Sequence, residues 1–228
     1  MEHPPIPIPA AFIFTTVLTW WLLYRAAKNK QRLVWLTLSW LLMQAALTLA
    51  GFYQHIAGVP PRFALLVFPP VVLVLITVLR GASNFDLQKL ALLHIVRIQV
   101  EMVLFGLYLH HAVPKLMTFE GGNLDILSGI SAALIYWFGF VKQRLPRGWL
   151  IAWNILCLLL LINIVVRALL SAPFAFQRFG FEQPNIALLY FPYSWLPGFV
   201  VPAVFFAHLT TLRELLLNRT EQPTHQIK

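Results

Sequence analysis

Hydrophobic residues fill this chain in long runs separated by short polar connections, the pattern of helices that each cross a bilayer. Seven runs reach span length, over residues 9–24, 33–56, 63–79, 90–112, 124–141, 149–171 and 194–213. None of the connections is long enough to bury a core of its own. The expectation is therefore one polytopic domain over residues 1–228, an all-α integral membrane protein built as a seven-transmembrane-helix bundle. Pro69 and Pro70 remove two adjacent backbone donors from the third run and predict a kink or break near mid-membrane; Pro197 and Pro202 predict a bend in the seventh. Prolines 4, 5, 7 and 9 predict an extended lead-in rather than a helix, and Glu2 and His3 are unlike the basic start of a cleaved signal, so the first span is expected to stay attached. Small residues at helical spacing, Ala46 and Ala50 in the second run and Ser128, Gly129, Ala132 and Ala133 in the fifth, mark expected helix-packing faces.

Composition reinforces this pattern. With 59% of residues hydrophobic and 11% charged, and a mean hydropathy of +0.74, an ordinary soluble domain is excluded. The net charge of +9 would suggest nucleic acid as a partner of a soluble protein. Here the basic residues fall in alternate connections, so they act as topology signals and nucleic acid is not expected. Arg25, Lys28, Lys30 and Arg32 follow the first run, Arg80 and Lys89 flank the connection after the third, Lys142, Arg144 and Arg147 follow the fifth, and Arg213, Arg219 and Lys228 follow the seventh. The opposite connections hold only Arg62, Lys115, Arg167 and Arg178. Retention of positive loops in the cytoplasm places the N-terminus outside and the tail 214–228 inside. Such compact connections fit a multi-pass protein of a bacterial inner membrane surrounded by lipid partners. The single cysteine, Cys157, rules out an intrachain disulfide and a multi-cysteine metal site.

Candidate chemistry concentrates in the fourth run, where His94, Arg97 and Glu101 interrupt apolar sequence. An ionisable side chain inside a span costs about 2.5 to 3.5 kcal/mol on insertion scales, so such groups face the bundle interior and mark function. The three fall on one helical stripe, and the four-residue spacing of Arg97 and Glu101 makes an ion pair available. Either Arg97 keeps Glu101 ionised or desolvation makes it a neutral acid, and both states suit proton transfer. His208, at similar depth in the seventh run and followed by Thr210 and Thr211, is expected to complete the constellation, with Gln44 as a further contributor. The plainer reading makes Arg97 and Glu101 a structural staple and leaves each histidine satisfied locally.

A second group surrounds the connection between the fourth and fifth runs: His110, His111, Lys115, Glu120, Asn123 and Asp125. Together with Arg167, near the outer end of the sixth run, the His, Glu, Asn and Asp residues are candidates for substrate binding. Imidazole and carboxylate suit zinc, manganese or iron, but adjacent histidines diverge by about 100° on a helix and no HExxH pattern is present. Capping by Asn123 or Asp125 and interfacial hydrogen bonding are favoured, and no residue is assigned to a metal. Arg167 is placed to balance Glu120 or Asp125, or to bind a phosphate headgroup. The aromatic-rich connection 173–193 reads as an interfacial belt with a short helix, or as an apolar lid over an outward-facing pocket.

Several functions drop out on residue grounds. Every lysine, at 28, 30, 89, 115, 142 and 228, falls in a loop or tail, which removes retinal Schiff-base chemistry. There is no phosphate loop, GxSxG elbow or Cys-His pair, and no motif specifies a cofactor. The favoured expectation is a buried polar pocket handling a hydrophobic small molecule, lipid or isoprenoid-like. In it Glu101 and His208 or His94 exchange protons while Arg97 stabilises negative charge. A proton-coupled carrier and a non-catalytic accessory subunit of a membrane complex are the alternatives.

Overall fold

The computed structural model describes residues 4–56, 58, 61–81 and 85–217. Glu2, His3, Arg219, Lys228 and the tail beyond residue 217 lie outside the described residues. Among the described residues eight α-helices follow in order: α1 (Pro7–Ala26), α2 (Lys30–Leu49), α3 (Ala64–Leu79), α4 (Leu87–Leu93), α5 (Val96–Leu109), α6 (Asp125–Leu134), α7 (Arg147–Leu170) and α8 (Val201–Leu217). Wider π-type turns extend α6 over Ile135–Val141 and precede α8 over Leu196–Val200. Among the described residues there is no strand, only an isolated bridge between Ala27 and Phe85. Five helical stretches are long and apolar enough to cross a membrane: Pro7–Ala26, Lys30–Leu49, Leu87–Leu109, Arg147–Leu170 and Leu196–Leu217. Ala64–Leu79 and Asp125–Val141 are apolar but shorter.

A core of apolar side chains that includes Phe12, Leu66, Leu90 and Leu107 fills the bundle, but both its surface and its interior differ from those of a water-soluble bundle. Large apolar side chains such as Trp35, Leu42, Phe68, Leu79, Trp149 and Leu156 point outward, whereas Thr15, Thr16, Thr19, Gln44, Asn154 and His208 point inward. The α1 threonines satisfy their hydroxyls on the carbonyls one turn back, at 2.7 to 3.1 Å, a local solution that needs no water. The α4–α5 unit packs against α1, α6 and α8, while α8 also packs against α3 and α7.

Several boundaries differ from expectation for identifiable reasons. α1 begins at Pro7, so the helix starts earlier than expected and only Pro4 and Pro5 of the described residues precede its first turn without regular structure, because a proline in the first turn lacks only an N–H that would have no intrahelical partner. α2 stops at Leu49, and the following residues turn through Gly51, whose φ of +73° favours glycine. α3 runs through Pro69 and Pro70 without a break. Pro202 leaves the Gly198 carbonyl without its usual donor four residues on, and the Trp40 indole N–H supplies one at 2.8 Å. Ala46, Ala50 and Ala133 are exposed, so the second run carries no small-residue packing face; Gly129 and Ala132 are buried as expected.

The fourth run is not one regular helix. Between α4 and α5 the chain tightens, with Ile95, Arg97 and Ile98 N–H groups donating three residues back at 3.1 Å. Gly129 of α6 lies against this tightened turn: a Cβ there would sit 2.7 Å from Ile98 Cγ1 and 3.0 Å from the Ile98 backbone nitrogen. Glycine is needed for that crossing.

Connections gather at two ends. Asp86 N–H donates to the Ala26 carbonyl at 2.9 Å, and Gly81 lies beside the Arg213 guanidinium. At the other end Phe63 packs on Phe174, with ring centroids 5.3 Å apart, and Ile186 N–H donates to the Ala112 carbonyl.

Candidate functional site

Arg97 organises the interior. Its Nε donates to Asp125 Oδ2 at 2.7 Å and its Nη2 to Asp125 Oδ1, a bidentate pair between fork-shaped partners. Nη2 also donates to the Cys157 carbonyl at 3.0 Å, and Nη1 to His208 Nε2 at 3.1 Å. Arg97 and Asp125 are 2% and 4% exposed, so their desolvation must be offset by each other and by these bonds.

The expected Arg97–Glu101 pair is therefore replaced by Arg97–Asp125. The tightened turn redirects Arg97 toward the first turn of α6, where Asp125 presents both carboxylate oxygens. Glu101, one turn further along α5, accepts at Oε1 from Asn123 Nδ2. Asn123 is shared: it also donates to the Met117 carbonyl at 3.0 Å and accepts the Asp125 N–H at 3.1 Å. Asn123 thus supports the start of α6, while the Asp125 carboxylate is committed to Arg97 and caps nothing. Two residues expected at the outer rim belong to the centre.

His208 has a defined tautomer. Guanidinium groups only donate, so Nε2 accepts from Arg97, and Nδ1–H donates to Asn154 Oδ1 at 3.0 Å. Asn154 Nδ2 donates in turn to the Leu150 carbonyl at 2.9 Å, which fixes the amide orientation. His94 stacks on His208 with centroids 3.9 Å apart and forms a T-shaped contact with Trp153, centroids 5.4 Å apart. Both His94 ring nitrogens are buried without a hydrogen-bond partner.

A cavity of about 100 Å³ adjoins this network. Arg97, Glu101 and Asp125 are its charged lining; the remaining wall is apolar, from α3, α5, α7 and the start of α8. Met117, from the connection between the fourth and fifth runs, and Leu188, from the connection 173–193, also line it. That connection contains a short 3₁₀ turn, Ala187–Leu189, rather than an interfacial α-helix. Glu101 Oε2 is buried and has no partner. Of the carboxylate oxygens that line the cavity, it is the one without a hydrogen bond, which marks it for explanation.

The other candidates disperse. His111 is exposed and its Nδ1 lies 3.2 Å from Gln183 Oε1; His110 is half-buried beside it. Glu120 is 3.6 Å from Lys115 at the surface. Arg167 balances neither Glu120 nor Asp125: its Nη1 donates to the Leu116 and Gly121 carbonyls, each at 3.2 Å, and so ties α7 to the outer connection. Gln44 accepts from Tyr53 and stands apart from the Arg97 network. Among the described residues no three His, Cys, Asp or Glu side chains gather as a metal ion would require. Asn154 was not among the expected residues, although it is one of only two amides, with Asn163, in the apolar run 149–171.

A family model described as a domain of unknown function, DUF8737, matches residues 59–216, and the chain belongs to that family. No curated protein and no solved structure matches the chain.

Proposed function

We propose that this is a multi-pass protein of a bacterial inner membrane that crosses seven times, with its N-terminus outside and its C-terminus in the cytoplasm. Its buried chamber handles the reactive end of a lipid or isoprenoid-like molecule by proton exchange at Glu101. The topology is supported by the charge bias together with the gathering of the basic connections after the first, third and seventh runs at one end of the bundle. The alternation requires the two shorter apolar helices to cross as well.

The single observation that carries the chemical reading is Glu101 Oε2, buried and unpartnered beside an otherwise apolar cavity. At about 100 Å³ the space takes a few waters, at roughly 30 Å³ each, or the end of a larger molecule. The half-buried Val67 and Val71 of α3 and Val165 and Ala168 of α7 form its rim, so the apolar remainder of a substrate would lie between α3 and α7 at the lipid boundary. His94, with both nitrogens free, is the second proton carrier. His208 is a positioning residue, held by Asn154 and Arg97. Arg97 is committed to Asp125, so the pair contributes a fixed dipole rather than a free cation for substrate.

The test is lipid profiling of a strain lacking the gene, complemented with the natural chain or with Glu101→Gln after membrane insertion has been checked. The deletion should alter the lipid or isoprenoid profile, and E101Q should fail to restore it, with a loss in turnover of about 10²- to 10⁴-fold. Full complementation by E101Q would overturn the reading. Unchanged lipids with altered solute uptake would replace it with a proton-coupled carrier.

A further inference from the structure

A second cavity, of about 550 Å³, lies on the other side of α3 and α8 from the polar chamber. Its volume falls in the range of roughly 300 to 1,000 Å³ typical of small-molecule sites. Leu33, Leu36, Leu73, Val74, Phe199 and Phe206 form much of its apolar body. Arg32 and Arg80, both exposed, stand at the same end of it, together with Asn29. Neither guanidinium pairs with an acid among the described residues, and the groove lining contains no Asp or Glu.

Depth and charge together identify an occupant. From Arg32 to Trp40 along α2 is about 12 Å, and from Pro69 to Arg80 along α3 about 16 Å, at a rise of 1.5 Å per residue. Half of a hydrocarbon core is about 15 Å. The groove thus runs from an interface to the bilayer middle, the depth of one leaflet. Its mouth is at the end that carries the basic connections. There α2 begins with Lys30, Gln31 and Arg32 and no acid in its first turn, so positive side chains are stacked against the positive end of the helix dipole. The Tyr24 ring beside the Lys30 ammonium and the Asn29 oxygen on the Arg32 N–H offset part of this, an anion would offset the rest, and helix N-termini with added arginines suit a phosphate.

We propose that this groove is a binding site for one anionic phospholipid of the cytoplasmic leaflet, its phosphate between Arg32, Arg80 and the α2 N-terminus and an acyl chain along α2 and α3 toward Trp40. The inference uses the membrane orientation given above and is independent of proton exchange at Glu101. The full chain, purified in mild detergent and exposed to vesicles of phosphatidylglycerol in phosphatidylcholine, should retain one phosphatidylglycerol in native mass spectrometry. The double variant Arg32→Gln, Arg80→Gln should bind it about thirtyfold more weakly, from two interfacial charges. Arg32→Lys with Arg80→Lys should keep most of the retention, and Val74→Trp, which fills the apolar body and leaves the charges, should reduce it. Equal retention of phosphatidylcholine, undiminished binding in both the double-glutamine and V74W variants, or displacement by inorganic phosphate alone would overturn the proposal. E101Q should bind phosphatidylglycerol normally, which separates failure of this site from failure of the polar chamber.

Discussion

The Arg97 centre and the α2 flank meet the same difficulty, polar atoms without water, in opposite ways. At the centre, charge is answered by charge: Arg97 by Asp125, with His208, Asn154 and Asn123 filling most of the remaining positions. On the flank, neutral groups answer neutral groups. Trp20 donates to Thr37, Trp40 to the Gly198 carbonyl, Trp195 to the Leu41 carbonyl and Thr48 to Ser194, at 2.8 to 3.0 Å. Within the most apolar eighteen-residue stretch of each, 61% of the residues of the α4–α5 span are buried, against 17% in α2. A dense centre with a few strong pairs defines one arrangement of α5, α6, α7 and α8. A flank held by separated neutral bonds leaves room beside α2 for lipid.

The sharpest way to break this contrast is to unpair the centre. Arg97→Met leaves Asp125 buried without its cation and should cost about 3 to 5 kcal/mol, read as a lower unfolding temperature in detergent. Adding Asp125→Leu should recover most of that loss, because two apolar residues replace the whole pair. Glu101→Leu in place of Asp125→Leu should give no such recovery. If it did, Arg97 would be paired with Glu101 and the assignment of the centre would be wrong.

Gly129→Leu should come next. Its side chain would meet Ile98, including the backbone nitrogen at 3.0 Å from the added Cβ, so α6 must retreat from the tightened turn and carry Asp125 away from Arg97. Overpacking of this kind costs about 1 to 3 kcal/mol. Gly148→Leu, at an exposed position with nothing within 4 Å of an added Cβ, is the control and should be close to neutral. Similar losses in both would mean that the crossing is not as close as described.

The sequence revealed the central residues more clearly than their partners. His94, Arg97, Glu101 and His208 stood out because ionisable groups are rare in apolar runs, and all four are buried. The Arg97–Glu101 pairing failed because it assumed a regular helix through residue 94, whereas the chain tightens there and turns Arg97 to α6. Asp125 and Asn123 were expected at the rim because they lie at the connection between two hydrophobic runs, and run boundaries do not reveal a connection that folds inward. The seven runs each contain a helix, but two of those helices fall short of full span length. The helical continuity through Pro69 and Pro70 was not legible from local donor loss. The split between a charged centre and an open flank is a property of helix neighbours, which periodicity does not encode.

On the flank, removing one bond should do less. Trp40→Phe keeps the ring and deletes the indole donor, leaving the Gly198 carbonyl with neither that N–H nor one from Pro202. A loss of about 1 kcal/mol is expected, measurable as a small shift in unfolding temperature. A loss as large as that of Arg97→Met would remove the distinction between the two regions.

The smallest effect lies where α4 enters the centre. Asp86 caps α4 by accepting the Lys89 N–H at 3.3 Å and pairs with the Lys89 ammonium at 2.8 Å, outside the apolar stretch Leu87–Leu109. Partial burial pushes its carboxyl up, but the Lys89 ammonium and the Lys89 and Gln88 amides more than offset this and hold it below the ordinary carboxylate value of 3.8. A depressed folded-state value means that the stabilisation is fully present above pH 3.8 and is lost as the pH falls through the lower folded value. Replacing Asp86 by Asn preserves a cap acceptor but removes the titration. The variant should be weaker than the natural chain by less than about 1 kcal/mol at neutral pH, and the difference should shrink as the pH falls below 3.8 and vanish once Asp86 is protonated in the folded chain as well. A difference that persisted unchanged into acid would show that Asp86 acts as a neutral cap, and that no charge at this boundary helps to hold α4 against the centre.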